Sequence, residues 1–94
     1  MDVIRECLDS GRYLDTRHAT ERQQERDITR PEMIFVLRGG HHEKSKDRFD
    51  EQYNAWNYAV RGRTIDRKEL RIVVSFEEAT GMLIITAIDL RRRG

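Results

Sequence analysis

The stretch that decides the fold is "ELRIVVSFEEATGMLIITAIDL", residues 69–90. Its first half alternates, so apolar side chains recur at every second position and share one face of a strand. Its second half is apolar at nearly every position, which is typical of a strand covered on both faces. The intervening "EATG" at 78–81 predicts a short hairpin turn. We therefore expect two antiparallel strands, with one face formed by Leu70, Ile72, Val74 and Phe76.

A third strand is predicted upstream, in "NAWNYAVRG" at 54–62, and "RTIDRKE" at 63–69 joins it to the next strand. Aromatic residues on an alternating strand either pack as core against a helix or stack on RNA bases, and the first role is the more frequent one. The predicted faces are Trp56, Tyr58 and Val60 on one side, and Asn57, Ala59 and Arg61 on the other.

The first half of the chain predicts three helices. Residues 3–10 are amphipathic and are followed by Gly11 as a stop. A polar second helix is predicted from an N-cap at Thr16 to about residue 27. The third helix lies in "TRPEMIFVLRGG", residues 29–40, which has capping-box spacing at its start and a pair of glycines at its end.

The order of elements predicts an α+β fold, with N-terminal helices packed on a three- to four-stranded antiparallel sheet. Residues 41–52 are polar and predict a mobile loop, with room for an irregular short strand. The 94 residues suit a single domain. Within it we distinguish a short extra N-terminal helix (1–12), a core (16–90) and a basic tail (91–94).

Composition restricts the partners. Charged residues make up 37% of the chain, yet the net charge is only +1, so bulk charge does not argue for a polyanion. Of 18 basic residues three are Lys, which leaves 15 Arg. An excess of Arg over Lys suits binding to phosphate or carboxylate, because Arg binds these groups bidentately. A GC-rich coding sequence produces the same excess of Arg. Cys7 is the single cysteine, and no apolar run is long enough to span a membrane. We expect a cytoplasmic protein without a membrane association.

The second predicted helix carries a cationic stripe, because His18, Arg22 and Arg26 recur every four residues. Ala19 lies in the same sector and would permit close approach to the sheet. Guanidinium groups turned inward need an anionic partner. That partner is either an acid of the protein or a substrate phosphate. Alternatively, the same spacing is explained by an exposed helix whose arginines form surface ion pairs.

The chain resembles the family known as domain of unknown function 4258. The resemblance rests on "HATERQQERDIT" at 18–29, "VLRGG" at 36–40, "WNYAVRGRT" at 56–64, "LRIVV" at 70–74 and "IITA" at 84–87, and covers residues 16–90. That family is similar to the small ribonuclease toxins of the RelE and BrnT kind, in which helices precede an antiparallel sheet. The resemblance implies a toxin-like fold, a target among RNAs and a small antitoxin protein as partner.

Cleavage of RNA without a metal requires an acid/base group and cations around the phosphate. His18 fits the first role and Arg22 and Arg26 the second. The adjacent His41 and His42 have no convincingly spaced third ligand, so neither a metal nor a cofactor is expected. The alternative is a non-catalytic protein-interaction module in which the stripe is structural. The predicted substrate-binding residues are Arg61, Arg63, Tyr58 and Thr86.

Overall fold

The computed structural model describes residues 2–16 and 28–91. A short 3-10 turn, Lys44–Lys46, joins the second and third strands. In chain order the other elements are α1 (Asp2–Ser10), β1 (Tyr13–Asp15), α2 (Arg30–Gly39), β2 (His41–His42), β3 (Arg48–Asp50), β4 (Ala55–Arg63), β5 (Glu69–Glu77) and β6 (Gly81–Asp89).

The strands form one six-stranded mixed sheet in the order β1-β6-β5-β4-β2, and β3 pairs with the other end of β4. β1 runs parallel to β6, whereas the remaining pairs are antiparallel. The α+β class is confirmed, but the prediction of a three- to four-stranded antiparallel sheet is wrong. β1, β2 and β3 are two or three residues long, so they show too little alternation for a pattern of period two to be recognised.

The predicted meander of β4, β5 and β6 is confirmed. The turn at 78–80 ends in Gly81, which has a φ of 102° that favours glycine. The register shifts between Val73 and Val74, where β6 contributes an extra residue. Buried side chains of β5 alternate as predicted, with Leu70, Ile72 and Val74 fully enclosed.

Both described helices pack on one face of this sheet, here called the inner face. α2 begins with the predicted capping box, in which Thr29 accepts from the Glu32 amide and the Glu32 carboxylate accepts from the Thr29 amide. α1 ends before Gly11, whose φ is 73°. The predicted second helix lies outside the described residues, except for Thr16. No helix among the described residues is long and apolar enough to cross a membrane. The core contributed by the two helices is Ile4, Cys7, Leu8, Met33, Val36 and Leu37.

Residues 41–52 do not form the predicted mobile loop. β2 and β3 both pair with β4, and the 3-10 turn lies between them. Asp47 secures this turn, because one of its carboxylate oxygens accepts from the Ala59 amide at 3.0 Å. The Glu43 amide donates to the Ala59 carbonyl at 2.8 Å. Polar side chains here bind the neighbouring backbone, which explains why apolar periodicity gave no signal.

Candidate nucleic-acid interface

The three residues predicted to be catalytic, His18, Arg22 and Arg26, lie outside the described residues. The residues that flank their segment are described. The Thr16 amide and hydroxyl both donate to the Ile84 carbonyl, at 3.0 and 2.8 Å. Ile28 is buried in the core cluster. The chain therefore leaves the described structure at the edge strand β1 and re-enters it in the core.

A row of side chains crosses the inner face beside Thr16. Asp15 pairs with Ile84 in the parallel ladder, Ile84 pairs with Val74, and Val74 pairs with Tyr58. Asp15 is only 7% exposed although it carries a carboxylate. Tyr58, one of the predicted substrate-binding residues, therefore shares the inner face with Asp15, which lies just before the cationic segment, as we call residues 17–27.

The other predicted substrate-binding residues lie on the opposite, outer face of the sheet. Arg61 is three positions from Tyr58 and Arg63 five, so both point to the other side of β4. Thr86 pairs with Val73, which pairs with Ala59 on that same outer face. The four predicted residues therefore do not converge on one surface.

On the outer face Arg61 and Arg63 belong to an ion-pair network. Arg61 and Arg71 are directly opposite each other on β4 and β5, an arrangement of like charges that destabilises a sheet. Glu43 compensates, because its carboxylate binds Arg71 at 2.8 Å and Arg61 at 3.4 Å. Glu69 binds Arg61 at 3.0 Å and Arg63 at 3.3 Å. The two acids thus neutralise most of the charge that the sequence offered to a substrate.

The network sets how the acids titrate. Hydrogen bonding and charge from Arg71, with a smaller effect of Arg61, hold the pKa of Glu43 below its ordinary value of 4.5. Arg61 and then Arg63 lower the pKa of Glu69 in the same way. A carboxylate whose pKa is lower when folded stabilises the fold above its unfolded pKa, and this contribution declines as the pH falls through the folded value.

We expect Glu43→Gln to lower the melting temperature at pH 7 by roughly 4–8 °C, which corresponds to about 1 kcal/mol for a domain of this size. The reason is that Arg61 and Arg71 lose the charge between them. Melting curves from pH 7 to pH 3 should show the difference from wild type shrinking below about pH 4.5, the ordinary pKa of the unfolded carboxyl, and disappearing as the pH falls through the lower pKa of the folded Glu43. Glu51→Gln, at an exposed turn, is the matched control. A difference that stays constant with pH would contradict the assignment.

The two adjacent histidines have different environments. His42 Nε2 lies 2.8 Å from Asp47 Oδ2, and the imidazole is partly buried. His41 is exposed on the outer side of β2 and pairs with Arg61. Within residues 2–16 and 28–91, no group of three or more potential ligands is arranged to hold a metal ion. His42 thus binds the Asp47 carboxylate, which holds the 3-10 turn against β4.

The inner face carries a series of aromatic rings at the β3–β4 end of the sheet. Trp56 precedes Tyr58 by two positions and shares its face, and Phe49 pairs with Trp56. The Phe49 and Trp56 ring centroids lie 5.6 Å apart at 69°. Trp56 is 49% exposed and Phe49 44%, so the expectation that Trp56 is core is wrong. We call the set the aromatic band: His42, Phe49, Trp56, Tyr58 and Phe76.

The other rings of the aromatic band form a second group around Tyr58. Tyr58 contacts Phe76 at a centroid distance of 5.7 Å and His42 at 5.9 Å, the latter edge-on. Tyr58 and Phe76 also pack against the core. Phe49 was missed by sequence reasoning, because a three-residue strand with one aromatic side chain has no period to detect.

The segment that leads into Phe49 exposes its cations, Lys44, Lys46 and Arg48. Arg48 pairs with Asn57, so by alternation it lies on the outer face. The acids of the same segment are largely buried, since the Glu43 and Asp47 side chains are only 15% and 14% exposed and are bound to Arg71 on the outer face and to His42. The sequence "EKSKDR" is nearly neutral, but folding makes its exposed surface basic. This separation of charges could not be recognised from composition.

A shallow, open groove of 370 Å³ lies elsewhere, between α1 and the β5–β6 turn. Its polar wall includes Arg12, whose guanidinium donates to the Glu78 carbonyl at 3.0 Å. Cys7, a free thiol, lies at its buried side. The groove contains none of the predicted site residues, and its cation is bound to the backbone.

Comparison with known proteins agrees with the motifs. The family model described as Domain of unknown function (DUF4258) matches residues 16–89. No curated protein and no solved structure matches the chain. The matched region includes α2 and β2 through β6 together with the cationic segment, whereas α1 and β1 precede it. Because the match covers most of the chain, this protein belongs to the DUF4258 family of domains.

Proposed function

We propose that this domain acts on RNA as a toxin-like, metal-independent endoribonuclease. The observation that carries the proposal is the placement of Tyr58. It lies on the inner face, in register with Ile84, the residue that anchors Thr16 at the start of the cationic segment. The resemblance to RelE- and BrnT-like toxins supports the same function.

The proposed chemistry is an internal transesterification. His18 accepts the proton of a ribose 2′-hydroxyl, whose oxygen attacks the adjacent phosphorus. The bond from phosphorus to the 5′-oxygen breaks, that oxygen takes up a proton, and a 2′,3′-cyclic phosphate remains. Arg22 and Arg26 stabilise the negative charge that develops on the phosphate. Tyr58 orients the RNA, whereas Arg61 and Arg63 are held by acids and act as structural cations.

A second function is favoured by the burial of Asp15. A carboxylate so enclosed requires cations or hydrogen-bond donors around it, and a structural stripe of Arg22 and Arg26 offers such cations. In that case the domain is a non-catalytic interaction module. Large losses of stability on Arg22→Ala or Arg26→Ala, without any cleavage by the wild type, would distinguish it.

Expression in a bacterial host is the experiment that separates the two. We expect induction of the wild-type protein to arrest growth and degrade cellular RNA, and a small neighbouring antitoxin to relieve the arrest. The Arg22→Ala variant should be harmless while accumulating as folded protein. Normal growth with intact RNA during abundant wild-type expression would contradict the ribonuclease proposal.

A further inference from the structure

We propose that the aromatic band is a stacking surface for unpaired bases of a single-stranded nucleic acid, which enters at the exposed Phe49–Trp56 pair. This surface would bind the strand on which the function proposed above acts. The inference rests on that proposed function only in taking the strand to be RNA.

The Phe49–Trp56 pair is exposed. These two large rings beside the sheet edge are each nearly half accessible, although Val60 and Ile72 on the same face are buried. Their edge-to-face contact fixes the rings, and the Trp56 backbone is held by the Ser75 hydroxyl at 2.9 Å. A rigid, exposed aromatic surface costs little entropy when a base stacks on it. Base–aromatic stacking accepts any base, because every base has a π-face.

Exposed cations precede the pair along the chain. A surface that bound an apolar protein helix would need few charges nearby, whereas Lys44 and Lys46 are exposed in the 3-10 turn that leads into β3. Glu43 and Asp47 do not neutralise them, because Glu43 binds Arg71 on the outer face and Asp47 binds His42. Aromatic rings that lie close in the chain to exposed lysines suit a single strand, in which bases alternate with phosphates.

The band also has a direction. Tyr58 follows Trp56 by two positions on the same face of β4, and it shares that inner face with Asp15, which precedes the cationic segment. A strand stacked on Phe49 and Trp56 would therefore reach Tyr58 with its next nucleotides. The proposal thus assigns to the band the binding of nucleotides beside the bond to be cleaved.

The single tryptophan makes the test direct, because Trp56 is the only fluorophore of its kind in the sequence. Oligodeoxythymidine lacks the 2′-hydroxyl, so it measures binding independently of cleavage. We expect it to quench the tryptophan emission of the full-length protein, and a blunt duplex of equal length to quench much less. Rising salt should weaken the interaction.

Labelled oligodeoxythymidine then measures the variants by fluorescence anisotropy. We expect Trp56→Ala and Phe49→Ala each to weaken binding roughly ten-fold, Trp56→Phe to restore most of it, and Lys46→Gln to reduce its salt dependence. Ile65→Ala is the matched control, since Ile65 is 83% exposed at the opposite end of β4. Melting curves check that each variant folds.

Three results would overturn the proposal: no quenching at low salt, equal binding of duplex, or binding unchanged in Trp56→Ala and Phe49→Ala. If any of these results were found together with cleavage of RNA, the ribonuclease proposal would be supported, and the RNA would bind at a surface other than the aromatic band. Quenching and variant effects as expected, without cleavage of RNA, would establish the band and refute the catalytic proposal. Binding of an apolar partner protein in place of the strand, lost in Trp56→Ala, would identify the band as a protein interface and refute it as a base-stacking surface.

Discussion

Gly40→Ala is expected to destabilise the fold by about 2–3 kcal/mol, because the added methyl has no space. A Cβ at this position would lie 2.5 Å from the Arg61 carbonyl oxygen and 2.6 Å from that of Val36. Both are backbone atoms, and the Gly40 amide already donates to the Val36 carbonyl at 2.7 Å. Relief of the clash therefore requires the end of α2 to change its conformation and to move away from the Arg61 carbonyl on β4, which would expose Val36.

The adjacent glycine offers a matched control. No heavy atom lies within 4 Å of a Cβ built on Gly39, which is the last residue of α2. Gly39→Ala should leave stability unchanged or raise it by about 0.5 kcal/mol through the lower entropy of the unfolded chain. Chemical denaturation of both variants checks the pair. Equal effects at the two positions would contradict the close approach of α2 to β4.

His18→Ala is expected to reduce RNA cleavage by roughly 10²–10⁴-fold, the usual range for removal of a general acid or base. Binding of oligodeoxythymidine should persist, because the aromatic band and its cations are unaffected. The measurement is single-turnover cleavage of a labelled RNA by folded protein, with binding followed in parallel by anisotropy.

His41→Ala is the control for this substitution, since His41 is exposed on the outer side of β2 and has no role in the proposed site. Cleavage should match that of the wild type. If His18→Ala and His41→Ala were equally active, the acid/base role of His18 would be refuted while the rest of the proposal could be tested through Arg22→Ala.

The parts of the fold with long apolar patterns could be predicted from the sequence. β5 and β6, each nine residues long, show their buried faces directly, and the capping box fixes the start of α2. The pair Gly39–Gly40 correctly predicted the end of α2, but not through the left-handed backbone conformation that usually explains a glycine after a helix. Gly40 has a φ of −80°, which any residue adopts, and it is required because the Arg61 and Val36 carbonyl oxygens occupy the space that a Cβ would need.

The candidate site was harder to predict because it depends on contacts between short, polar elements. Arg61 and Arg63 were predicted to bind the substrate, yet Glu43 and Glu69 neutralise them from distant positions in the chain. Exposure of Trp56 follows from its place beside the edge strand β3, a three-residue element. Alternation gives the face on which a side chain lies, but it does not reveal whether another element covers that face.

The proposed cleavage of single-stranded RNA without a metal can be measured by incubating the purified protein with an end-labelled RNA in excess chelator. We predict internal cleavage, with products that end in a 2′,3′-cyclic phosphate. RNA that stays intact at a molar excess of folded protein, or that is cut only when a divalent cation is restored, would contradict the proposed function.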